Sequence, residues 1–143
     1  MTVKSILAAK GSDVVTIEPH ASVAAAAKRL AERKIGALVV TGAEHRVVGI
    51  LSERDIVHAL ATQGVGALEK PLSEVMTRKV TTCSQIDTIS SVMERMTDGK
   101  FRHLPVVEQN RLIGIVSIGD IVKQRLSEME HEQSALRDYI QTA

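Results

Sequence analysis

Two pairs of side chains in this sequence carry the same chemistry at the same spacing. They are Ser52 with Asp55 and Ser117 with Asp120, two Ser-x-x-Asp motifs about 65 residues apart. A serine three residues before an acid, where an apolar run gives way to a helix, reads as a capping box. The hydroxyl and the carboxylate then take up backbone N–H groups that the helix start leaves unpaired. The same geometry suits a nucleotide, because a helix N-terminus favours phosphate and a carboxylate accepts both hydrogen bonds of a ribose diol. The two roles are compatible, and the residues alone leave both open. Arg102 and His103, just before Leu104-Pro105, add a fixed and a pH-dependent positive charge, and Arg54 lies inside the first motif. The first half has Gly36-Ala37 opposite Arg102-His103, and the second has Gly119 opposite Arg54, so two sites built this way are unequal.

The stretches that carry these residues are near copies: VVGILSERDIV at 47–57 and LIGIVSIGDIV at 112–122. In each, a glycine (Gly49 or Gly114) leaves room for the close approach of a ligand or another backbone. The similarity extends upstream. HASVAAAAKRLAERK is helical by alanine propensity, and IDTISSVMERMTDGK by the period of Ile89, Val92, Met93 and Met96. Ser22 and Thr88 are their expected N-caps. The β-type runs IGALVVTG and FRHLPVVE then lead through short polar turns into RVVGILS and RLIGIVS, which predicts two hairpins. Val14-Val15-Thr16 and Val80-Thr81-Thr82 open a first strand in each half. The expected fold is α/β: two β-α-β-β-α repeats around a pseudo-two-fold axis, with clefts between them and a long C-terminal helix. A unit of about 60 residues buries too little to stand alone, which is why the two are expected to share a core.

The expected divisions are 1–70 for the first repeat with its N-terminal lead-in, 71–125 for the second, and 126–143 for a helical extension. Val122, Leu126, Met129, Gln133, Leu136 and Ile140 alternate steps of four and three. They form a seam for a second copy or a regulated partner, or a face packed on the helix's own domain.

Composition narrows the function. Net charge is +1 with interspersed signs, so no basic stripe addresses a nucleic acid backbone. Phe101 and Tyr139 are the whole aromatic complement, too few to stack single-stranded bases. No apolar run is long enough to span a bilayer, and the N-terminal stretch has no sustained apolar region of signal-peptide type. Cys83 is the single cysteine, which together with those absences predicts a cytoplasmic protein. The five histidines show no metal-site spacing, and no nucleophile elbow or P-loop appears, so neither a metal nor catalysis is expected.

The doubled Gly-Ile-hydrophobic-Ser-x-x-Asp motif, the HLPVV strand and the stretches SILAAKGSDVVTI and LSEVMTRKVTT resemble the cystathionine-β-synthase (CBS) domain family. The resemblance is to its tandem arrangement, the Bateman module, and covers roughly residues 3–124. It implies a non-catalytic regulatory or sensor module that binds an adenosine-containing ligand between the repeats: AMP, ADP, ATP or NAD(H), with S-adenosylmethionine ranked after them. Carried over by position, Asp120 and Asp55 look like ribose contacts, with Ser117 and Ser52 beside them. Thr82 and Thr16 resemble polar contacts at the cleft floor, and Arg102, His103 and Arg54 resemble phosphate contacts. Adenine would lie among Val80, Ile35 and Ile113, while Gly36-Ala37 leaves one cleft without the basic pair. The resemblance favours Asp120 as the occupied site and a homodimer as the assembly. The alternative is a structural or protein-interaction homodimer whose clefts are vestigial.

Overall fold

The computed structural model describes residues 1–142; Ala143, the end of the expected 126–143 extension, lies outside them. Helix α1 (Val3–Lys10) precedes the first repeat, which runs β1 (Thr16–Ile17), α2 (Val23–Arg33), β2 (Ala37–Thr41), β3 (Val47–Ser52) and α3 (Glu53–Gln63). The second runs α4 (Ile89–Gly99), β4 (His103–Glu108), β5 (Arg111–Ser117) and α5 (Ile118–Thr142). The fold is α/β, with a three-stranded sheet ordered β1-β2-β3 and a two-stranded sheet β4-β5.

Local chemistry explains most of these boundaries. The Ser22 hydroxyl accepts from Ala25 N at 3.1 Å and the Thr88 hydroxyl from Ser91 N at 3.1 Å, capping α2 and α4. Both helices end on a lysine in the left-handed region, Lys34 and Lys100. The hairpins turn through Glu44-His45 and Gln109-Asn110, all at positive φ. Each hairpin carries a bulge at the matching place, Val40/Thr41 and Val106/Val107.

The first strand of the second repeat departs from expectation. Residues Val80 to Thr82 form no strand; a single parallel bridge joins Cys83 to Val106. Cys83 N donates to Pro105 O at 3.0 Å and Val107 N to Cys83 O at 2.8 Å. The next rung back toward Thr81 needs an N–H at position 105, and proline has none. The first repeat has Val39 there, and β1 pairs with β2 over two residues.

Each repeat forms its own apolar cluster, and the leading segments are exchanged between them. Val3 and Ile6 of α1 lie with Cys83, Val92, Leu104 and Ile121, while Leu72 and Met76 lie with Ile17, Leu30, Leu38 and Leu51. Matching backbone bonds hold both segments: Val3 N to Asp87 O and Leu72 N to Ala21 O, each 2.9 Å. The glycines before the two serines make room for this exchange. A Cβ on Gly49 would meet Met76 Sδ at 2.5 Å, and one on Gly114 would meet Leu7 Cδ2 at 2.7 Å. A partner side chain fills each position, where a ligand or a backbone was expected.

Candidate functional site

Both Ser-x-x-Asp motifs are capping boxes. Asp55 Oδ2 accepts from Ser52 N at 2.9 Å while the Ser52 hydroxyl accepts from Asp55 N at 3.3 Å. Asp120 Oδ2 and the Ser117 hydroxyl repeat the pattern at 2.9 and 3.1 Å. The next residue ties each helix start to the residue just ahead of the neighbouring strand, β2 or β4: Glu53 N donates to Gly36 O at 3.0 Å, and Ile118 N to Arg102 O at 2.8 Å.

A cavity of about 450 Å³ opens between the repeats at Asp55. The first repeat contributes Gly36, Ala37, Ile50, Ser52, Glu53, Arg54 and Asp55. The other wall comes from Thr77, Lys79, Val80 and Thr81, and from Gly99 to His103. One carboxylate with its serine thus stands in a space shared with Arg54, Lys79, Lys100 and Arg102. Those four cations outnumber the two acids, Glu53 and Asp55. Such a surplus attracts phosphate, and Ile50, Val80 and Phe101 offer apolar walls to a ring.

The leading segment of the second repeat shapes this opening. Beyond a 3-10 turn at Leu72–Glu74 the chain leaves the helix, and Thr77 pairs with Ile50 through N–O bonds of 2.9 and 3.0 Å. Its hydroxyl donates to Asp55 Oδ1 at 3.3 Å. β-Branched Val75 and Thr77 disfavour further helix, so Lys79 and Val80 lie along the wall.

The Asp120 side differs. There the leading segment is helical as far as Lys10, with Ala8 and Ala9 favouring helix and Gly11 ending it at φ 92°. Lys10 Nζ donates to Asp120 Oδ2 at 2.7 Å and to Ile115 O at 3.0 Å. Burial, the largest single influence, pushes the Asp120 carboxyl up. The Lys10 ammonium and the Ser117 bonds outweigh it and hold the group below the ordinary carboxylate range.

His103 sits between the two sides. Its ring lies over Gly36, where an added Cβ would stand 3.3 Å from Cε1. Burial, then the Lys10 and Arg102 charges, keep the imidazole below the ordinary histidine range against the opposing pull of Asp120 and Glu53.

Of the expected site residues, Gly36, Ala37, Ser52, Arg54, Asp55, Val80, Arg102 and His103 meet in the one cavity. Thr16, Ile35, Thr82, Ile113, Ser117 and Asp120 are not in its lining. Ile35 borders a shallower groove with Leu30 and Ile56, and Ile113 lies against the second core. The carbonyls of Thr16 and Thr82 accept from Arg29 and Arg95 at 2.8 and 3.1 Å. Glu53, Thr77, Lys79, Thr81, Lys100 and Phe101 were not singled out in the sequence. Lys100 had one usable signal, its place at a helix end two residues before Arg102. Among the described residues no cluster of three or more His, Cys, Asp or Glu side chains could hold a metal, and no helix is long and apolar enough to cross a membrane.

A family model described as CBS domain matches the chain twice, over residues 3–62 and 72–127. A crystal structure of the CBS-domain containing protein ATU1752 from Agrobacterium tumefaciens is 50% identical, with a TM-score of 0.84, covering 87% of this chain and 99% of that one. The CBS domain pair of protein MJ0100, solved in complex with 5′-methylthioadenosine and S-adenosyl-L-methionine, is 29% identical with a TM-score of 0.80, over 90% and 98% of the two chains. The mitochondrial CBS domain-containing protein CBSX3 of Arabidopsis thaliana is 34% identical over 120 residues, 81% of this chain. The match spans 58% of that relative, little more than half its length.

Proposed function

The chain belongs to the CBS-domain family, and on that premise we propose that it is a non-catalytic sensor holding an adenosine-containing nucleotide in the cleft at Asp55. The candidates are AMP, ADP, ATP and NAD(H). The observation that carries the reading is the cavity itself, which sets Ser52 and Asp55 of one repeat among basic side chains from both. Asp55 takes the ribose diol; Arg54, Lys79, Lys100 and Arg102 take phosphates; Ile50, Val80 and Phe101 flank the base. Sequence alone favoured Asp120, but the Lys10 ammonium lies on that carboxylate. The adenosyl ligands of the MJ0100 pair support the class of ligand. The cationic surplus here favours phosphates over a sulfonium such as S-adenosylmethionine. A ligand touching both repeats shifts their arrangement to the extent that it binds one arrangement more tightly, and that shift is the output a partner reads.

The module acts as a homodimer through the exposed apolar stripe of α5, in a reducing cytoplasm. Burial pushes the Cys83 thiol up to about 12, with Asp87 adding to it, so the lone cysteine stays inert.

A thermal-shift panel of AMP, ADP, ATP, NAD⁺, NADH and S-adenosylmethionine tests the reading on wild type, Arg102→Ala and Asp55→Ala. At about 100 times its Kd a ligand stabilises the fold by about 2.7 kcal/mol. Arg102→Ala is expected to weaken phosphate-bearing ligands about tenfold. Silence across the panel leaves both motifs as helix caps and the chain as an interaction module with vestigial clefts.

A further inference from the structure

The Asp55 and Asp120 sides are built from matching parts, and one side chain is placed differently against the two carboxylates. Leu7 fills the space over Gly114 as Met76 fills that over Gly49, so Lys10, three residues beyond Leu7, matches Lys79. Lys79 lies along the wall of the open cavity. Lys10 instead turns inward, and its ammonium bonds both Asp120 Oδ2 and the carbonyl of Ile115. On the open side Thr77 makes the two corresponding contacts, its N–H to Ile50 O and its hydroxyl to Asp55. That short side chain leaves the cleft clear. The lysine reaches across it.

We propose that Lys10 is a tethered occupant of the Asp120 cleft, placing a cation from the chain's own first helix on the carboxylate and restricting each chain to one nucleotide, at Asp55. The inference rests on the nucleotide reading above and goes beyond it in naming the residue that sets stoichiometry. In the Asp120 cleft Gly119 stands where Arg54 stands in the first, so one phosphate contact is missing, while Arg102 precedes the strand on the Asp120 side as Gly36 does on the other.

The test is calorimetric titration with AMP on wild type, Lys10→Ala, Lys10→Arg and Lys10→Ala/Asp120→Ala. Wild type and Lys10→Arg are expected to bind one AMP per chain. Lys10→Ala gains a second AMP site, and the double variant loses it again. Two sites in wild type, or one in Lys10→Ala, overturns the proposal. If nothing binds any variant, the nucleotide reading fails, and the tether is judged by a double-mutant cycle on stability. A coupling of about threefold or more in the unfolding constant between Lys10 and Asp120 upholds it, and additivity overturns it.

Discussion

At the scale of single residues, Asp55 and Asp120 show that a capping carboxylate can still meet a further donor, Thr77 in one case and Lys10 in the other. Each carboxylate holds its own helix start through one oxygen and keeps lone pairs for another donor. His103 is the residue that links the two sides, and its titration has a definite sign. In the free protein the imidazole is held below its ordinary range, so between the lowered and the ordinary value the unfolded chain binds more protons. Stability from this group is therefore present above the ordinary histidine range and lost as pH falls toward the lowered value. A phosphate in the cavity works the other way, because it favours the imidazolium. Affinity for NAD⁺, whose pyrophosphate does not titrate here, is expected to rise as pH falls from about 8 to about 6. Calorimetry on His103→Gln should show that slope flattened; an unchanged slope would remove His103 from the ligand's surroundings.

At the scale of elements, the Gly-Ile-x-Ser strand is a socket for a segment from the other repeat. Gly49→Val and Gly114→Val should each destabilise the fold by about 1–3 kcal/mol through overpacking. In urea denaturation Met76→Ala should relieve Gly49→Val, since Met76 is the side chain displaced. Hairpins and helices were legible in the sequence because turns, caps and periods are local signals. The exchange of leading segments was not. Val3, Ile6, Leu72 and Met76 lie in or beside the entry stretches, and nothing local says which core takes them. The missing rungs at Thr81 were written in Pro105, but only register makes that proline relevant. In the site, the acids and serines were legible through their repetition. Lys79 was not, because a lysine in a loop reads as solvated surface, and Lys100 was marked only by its place at a helix end. Lys10 became important only when α1 was placed against β5.

At the scale of the whole molecule, α5 is anchored at Ile121, which is fully buried, and then leaves its own domain. Val122, Leu126, Met129, Leu136 and Ile140 are 46% to 64% exposed along one stripe. If that stripe joins two copies, light scattering should give twice the chain mass for wild type and a lower mass for Leu136→Asp, with nucleotide affinity at Asp55 little changed. A dimeric Leu136→Asp would move the interface elsewhere. The exchanged segments also impose an order in time. Helix α1 is synthesised about 110 residues before the Asp120 that its lysine binds, and the first repeat is incomplete until Met76 has been added. Long-range closures of this kind slow folding and leave apolar surface uncovered meanwhile. The nascent chain therefore carries its first helix unpaired until the second repeat follows, whereas the first repeat can close as soon as Met76 is in place.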